Sequence, residues 1–173
     1  MNLSQLLITT LLIYLPAMIA NMAPIFAAKW NVFPRLNRAL DFGVSIQGIR
    51  LLGSHKTIRG FLAAIFAGSI TGGIEATYMQ QELLFGFLIG ALVGFGAIMG
   101  DAIKSFFKRR LHIAPGSSFI PFDQIDFVIG ATVVEIFFIP ISLEQFITAI
   151  ICIGFASYIV SSIAIALHFK KTL

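Results

Sequence analysis

Two aspartates, Asp123 and Asp126, stand three residues apart in the segment SSFIPFDQID, just after Pro121. On a helix opened by that proline they are neighbours on one face. Carboxylates so placed can give oxygen ligands to a hard divalent cation such as Mg²⁺, which commonly takes one or two protein carboxylates and completes its shell with phosphate oxygens. The competing role is compensation of the helix dipole, which accounts for one aspartate more readily than for two. Upstream, Asp101, Lys104, Ser105 and Lys108 follow helical spacing and stack on one face, with Arg109 one turn beyond Ser105. Lysines alone in such a place suit anionic lipid headgroups. An aspartate among them suits a site that holds cations and phosphates together.

A third stretch, GSHKTIRG, offers hydroxyls from Ser54 and Thr57, charge from Lys56 and Arg59, and the free backbone N–H groups of a helix start. All of these suit phosphate. It is not a P-loop, because Gly48 and Gly53 lead into Ser-His-Lys-Thr rather than Gly-Lys-Thr and no strand pattern precedes them. His55 by itself fits a structural hydrogen bond better than a ligand contact.

The elements that must position these residues are membrane helices. Of 173 residues, 58% are hydrophobic and 12% charged, and the mean hydropathy is +0.94, far outside the range of soluble domains. The single cysteine, Cys152, lies in an apolar run and excludes a disulfide framework. A helical span needs ~20 apolar residues, and five stretches qualify: about 3–28, 60–78, 83–103, 119–139 and 145–167. The expected fold is therefore all-α, one integral membrane domain over 1–173 with five transmembrane helices. Two longer polar loops, about 29–59 and 104–118, separate them.

The charges sort by side. All 12 Lys and Arg residues, from Lys29 to Lys170 and Lys171, fall in these loops or the C-terminal tail, whereas Glu75, Glu82 and Glu144 fall on the other side. The positive-inside rule then makes the basic face cytoplasmic, the N-terminus outside and the C-terminus cytoplasmic. The first apolar run is too long for a cleaved signal peptide and ends at the interfacial pair Lys29 and Trp30. Within the spans, Gly86, Gly90 and Gly94, and then Gly96 and Gly100, repeat at the spacing that lets helix backbones approach closely. Pro16 and Pro24 suggest a kink in the first span. No internal repeat suggests a transporter, and a transport path would spread its ionisable residues through the membrane rather than crowd them on one rim. Glu135, mid-span, calls for a polar partner, for which Asn21 is a candidate.

Three helix ends thus bring cations, hydroxyls and carboxylates to one rim, the equipment for a nucleoside triphosphate with its metal and a second substrate living in the bilayer. The segments GSHKTIRG, GDAIKSFFKRR, PGSSFIPFDQID and NMAP closely resemble the archaeal CDP-archaeol synthases, integral membrane relatives of the CDP-diacylglycerol synthases. Against the diacylglycerol signature, Ser105, Lys108, Arg109, Asp123 and Asp126 agree, but its Lys-Asp pair and His-Gly-Gly segment are absent and Gln124 stands where that family has Arg.

The resemblance implies cytidylyl transfer from CTP to an unsaturated di-ether glycerol phosphate in phospholipid biosynthesis, with Mg²⁺ as cofactor, by in-line attack on the α-phosphorus at the cytoplasmic face of the cell membrane. It implies Asp123, Asp126 and Lys108 as catalytic, and Asp123 and Asp126, with Asp101, as metal ligands. Lys104, Ser105, Lys108 and Arg109, together with Lys56, Thr57 and Arg59, would bind CTP. The alternatives are a CTP-dependent lipid kinase and a non-catalytic protein that binds anionic lipid. No nucleic-acid or protein partner is indicated.

Overall fold

The computed structural model describes residues 2–114 and 117–167. Pro115, Gly116, Lys170 and Lys171, invoked above for the second loop and the tail, lie outside them. The first helix, α1 (Leu3–Lys29), starts at a capping box in which the Asn2 carboxamide accepts the Gln5 N–H and the Gln5 side chain accepts that of Asn2. It stays one element through Pro16 and Pro24. After a long loop come α2 (Ile58–Tyr78), α3 (Leu83–Arg110), α4 (Phe122–Glu135), α5 (Leu143–Thr148) and α6 (Gly154–Ala166). A π-helical turn, Ala149–Ile153, joins α5 to α6 into one continuous rod. The loop after α1 holds a 3₁₀ turn, Pro34–Leu36, and a short antiparallel hairpin of β1 (Ser45–Ile46) and β2 (Ile49–Arg50).

Among the described residues four helices are long and apolar enough to cross a membrane: α1, α2, α3 and the α5–α6 rod. The five-helix reading meets its exception at α4. The run 119–139 yields a helix of only 14 residues, about 21 Å long against a hydrocarbon core of about 30 Å. The cause is local. Pro140 cannot continue a helix and turns the residue before it from helical angles, so the chain leaves α4 through a turn over 136–138. The reverse occurs at α3, which runs on through the basic residues to Arg110 instead of ending at 103. Hydropathy falls there, but Lys, Arg and Phe form helices well enough to carry it on.

Helix α3 is the central member, packed on α2 along one side and on α4 along the other. Glycines explain how closely. A Cβ added to Gly68 of α2 would stand 2.5 Å from the Gly90 carbonyl oxygen, and one added to Gly96 of α3 would stand 2.6 Å from that of Gly130. The glycine spacing seen in the sequence is therefore used twice, toward Gly68 and Gly72 on one flank and toward Gly130 on the other. Tyr14, Ala17, Ala20, Ala64, Val93, Ala97, Phe127 and Val128 fill the core between α1 and these helices.

Candidate active site

The α3–α4 contact brings the chemistry-bearing residues of both helices to the same end of the bundle. Gly100 lies against the backbone of Asp126, so the acidic first turns of α4 meet the cationic last turns of α3. The Lys104 ammonium sits among three carboxylates, 3.1 Å from Asp101, 2.7 Å from Asp123 and 2.6 Å from Asp126. Lys56, just before α2, pairs with the other oxygen of Asp101. Lys108 lies 3.2 Å from both oxygens of Asp123 and donates to the Ser117 carbonyl at 2.5 Å. Asp123 also accepts the Phe119 N–H at 2.5 Å. Asp126 and Lys108 are buried. The charges balance, with Lys56, Lys104 and Lys108 facing Asp101, Asp123 and Asp126.

Six of the residues singled out in the sequence thus converge. Others are engaged elsewhere. The Thr57 hydroxyl caps α2 by accepting the Gly60 N–H, and that of Ser105 bonds back to the Asp101 carbonyl. Arg59 donates to Asn31, and Arg109 to the Ala114 carbonyl. His55 is exposed and borders a small cavity beside Lys56, Thr57 and Asp101. Sequence spacing missed Asn31 and the Ser117 carbonyl as partners, since both lie in loops that carry no periodic signal.

The donor set suits a hard divalent cation. Oxygen ligands from two helices already surround a positive charge at Lys104, and a dication with phosphates could exchange places with the lysines, each charge finding its opposite. Among the described residues no group of three His, Cys, Asp or Glu closes on one ion position. A cation here would therefore draw one or two ligands from Asp123 and Asp126 and the remainder from phosphate and water, the usual habit of Mg²⁺. Beside this ring a cavity of about 580 Å³ runs between α3 and α4. Met99, Ile103, Phe122 and Ile129 line it, and Lys104 and Asp126 are its charged members.

Glu135 belongs elsewhere. It is fully buried, neither carboxyl oxygen has a hydrogen bond among the described residues, and Asn21 is not its partner. Its neighbours in charge are Glu75 and Tyr14, whose hydroxyl is shared at 2.6 Å with Thr132. A buried polar group without a partner costs stability, and an apolar group of similar shape relieves it. Glu135→Met is expected to stabilise the protein by about 1–3 kcal/mol. A rise in the thermal unfolding temperature in detergent, with unchanged turnover, is the measurement.

The fold and the site together define a polytopic membrane protein with a partly buried ring of acids and lysines at its helix ends and an apolar cavity opening beside it. A family model described as CarS-like, CDP-archaeol synthase, matches residues 3–173. CDP-archaeol synthases of Thermofilum pendens, Aeropyrum pernix and Saccharolobus islandicus are 34%, 39% and 36% identical over 143, 131 and 135 residues. These alignments cover 79%, 75% and 78% of this chain, and 66%, 70% and 75% of the relatives. A solved structure of an intramembrane enzyme for archaeal membrane lipids biosynthesis superimposes with a TM-score of 0.75 at 33% identity, covering 89% of this chain and 90% of that one. The chain belongs to the CDP-archaeol synthase family, whose members are CTP-utilising cytidylyltransferases of lipid synthesis.

Proposed function

We propose that the protein transfers the cytidylyl group of CTP to the phosphate of an unsaturated di-ether glycerol phosphate in the bilayer, giving CDP-archaeol and pyrophosphate. One observation carries this reading: the Lys104 ammonium held by Asp101, Asp123 and Asp126 at the polar end of an apolar cavity. An oxygen of the lipid phosphate attacks the α-phosphorus of CTP. The new P–O bond forms as the bond to the bridging oxygen breaks, and that oxygen leaves with the electron pair as part of pyrophosphate. The nucleophile is already an anion, so no covalent enzyme intermediate is needed. Catalysis reduces to holding two anions in line and offsetting the charge that grows on the leaving group.

Lys56, Lys104 and Lys108 turn from the carboxylates to the phosphates, and Arg59 and Arg109 add charge at the rim. Thr57 caps α2, and it and Ser105 offer hydroxyls. Asp123 and Asp126, with Asp101 beside them, would hold Mg²⁺, which would supply neutralisation of the phosphate charge. The cavity between α3 and α4 receives a lipid chain while its phosphate reaches Lys104. The basic end of the bundle is cytoplasmic by the positive-inside rule, and α4, with the chain that follows it, supplies the fourth of five crossings that lead from an outside N-terminus to a cytoplasmic C-terminus.

Purified protein, CTP, Mg²⁺ and paired ether and ester lipid phosphates test the proposal. The expected products are pyrophosphate and CDP-lipid, with turnover abolished by EDTA and restored by Mg²⁺. Release of CDP with a phosphorylated lipid would establish a kinase instead, and lipid binding without CTP turnover a non-catalytic role.

A further inference from the structure

The loop between α1 and α2 is ordered by contacts that the proposed chemistry does not use. Its hairpin turns at Gln47 and Gly48, with φ of 53° and 76°, the pair of left-handed residues that a two-residue hairpin turn requires. Two strands of two residues cannot hold themselves together in water. Something must hold them, and two side chains do. The Asp41 carboxylate accepts from the backbone N–H groups of Gly43, Leu52 and Gly53 and from the Arg50 guanidinium at 2.5 Å. Burial pushes the Asp41 carboxyl up, but Arg50 and those three N–H groups outweigh it and hold it at about 2, so it is ionised at neutral pH. The second side chain is Arg110, in the last turn of α3. It donates to the carbonyls of Ile46, Ile49 and Arg50 at 3.3, 3.0 and 2.9 Å, and its guanidinium stands 5.3 Å from the Phe106 ring centre.

These contacts lead to Lys56. Arg110 grips β2, Arg50 of β2 binds Asp41, and Asp41 holds the N–H groups of Leu52 and Gly53. At the base of the loop the Lys56 carbonyl accepts the Leu40 N–H at 2.7 Å, and Ala39 pairs with Thr57. The side chain of Lys56 reaches Asp101 of α3. Its segment is thus tied to α3 at two points nine residues apart, about 13 Å along the helix. Arg110 has both terminal nitrogens committed to backbone carbonyls.

We infer that Arg110 is a positioning residue for the triphosphate of CTP: by clamping the hairpin to the end of α3 it fixes where Lys56 stands. The inference rests on the reading of Lys56 as a phosphate contact. Only a guanidinium can serve several carbonyls from one plane, so lysine is a partial substitute.

Arg110→Gln, Arg110→Lys, Lys56→Ala and the double variant Arg110→Gln with Lys56→Ala test it in the full chain. Arg110→Gln is expected to raise the KM for CTP about tenfold, with kcat within about twofold and the KM for lipid phosphate unchanged. Arg110→Lys should fall between it and wild type. Amide hydrogen exchange at Leu51, Leu52 and Gly53 should quicken in both, in the absence of nucleotide. In the Lys56→Ala background Arg110→Gln should add little. Arg110 variants with wild-type KM for CTP, a parallel loss in kcat and both KM values, or full additivity in the double variant would overturn the inference. If Lys56→Ala itself leaves the KM for CTP unchanged, the phosphate role of Lys56 falls and the clamp's catalytic purpose with it. If Lys56→Ala raises it and Arg110→Gln does not, the clamp alone falls.

Discussion

Replacing Asp126 with Asn is expected to lower metal-dependent CTP turnover by a factor on the order of 10³ while leaving the protein folded. The loss follows from charge, because the amide is nearly the same shape. Asp126 is buried, and its carboxylate lies 2.6 Å from the Lys104 ammonium. An amide there keeps an oxygen but brings no negative charge with which to hold a dication against the phosphates. Lys104 keeps Asp101 and Asp123 as partners, so no buried charge is stranded and the unfolding temperature should move little. Glu82→Gln, at the opposite end of the bundle, should leave turnover at the wild-type level. CDP-lipid formation at saturating CTP and Mg²⁺, with thermal unfolding of the same preparations, gives the measurement. Near-normal turnover in Asp126→Asn would refute the assignment of the carboxylate ring.

Spacing alone identified most of this ring. Residues three and four apart on a helix share a face whatever the tertiary structure, which is why Asp101, Lys104 and Lys108 could be grouped, and Asp123 with Asp126, before any fold was known. Spacing does not say which face meets which. That Lys104 rather than Lys108 stands among all three acids follows from the close approach of Gly100 to α4, a backbone contact with no signature in the charged residues themselves.

Hydropathy has a similar limit. It reports which residues tolerate lipid, so it found the rods α1, α2, α3 and α5–α6, yet it ended α3 too early and drew α4 too long. Helix continuation is governed by propensity and by proline, and the two signals part company at Arg110 and Pro140. The hairpin was legible in principle, since an aspartate two residues before a glycine and a Gln-Gly pair between short apolar stretches are turn signals. Its clamp was not, because Arg110 and Ile49 are 61 residues apart. Glu135 is the converse case. Its burial in the membrane was readable, but among the described residues no hydrogen bond meets it.

Gly68→Val should cost the fold about 3 kcal/mol or more, because α2 and α3 meet there backbone to backbone. Any Cβ on Gly68 would come within 2.5 Å of the Gly90 carbonyl oxygen and 2.9 Å of the Gly94 Cα. Neither atom belongs to a side chain that could rotate away, so relief requires the helices to separate. Gly73 is the contrasting case. The nearest atoms to its added Cβ belong to the Phe87 ring, at 2.5 Å, and that partly exposed side chain can swing toward lipid, so Gly73→Ala should be much milder. Separation at Gly68 reaches the site as well. Lys56 leads into α2 and Asp101 rides on α3, so helices pushed apart stretch the ion pair between them. Gly68→Val should therefore lose both thermal stability in detergent and affinity for CTP, whereas Phe66→Ala, two residues away at a position 69% exposed on the lipid face, should lose neither. An unchanged unfolding temperature in Gly68→Val would mean that α2 and α3 do not pack through their glycines.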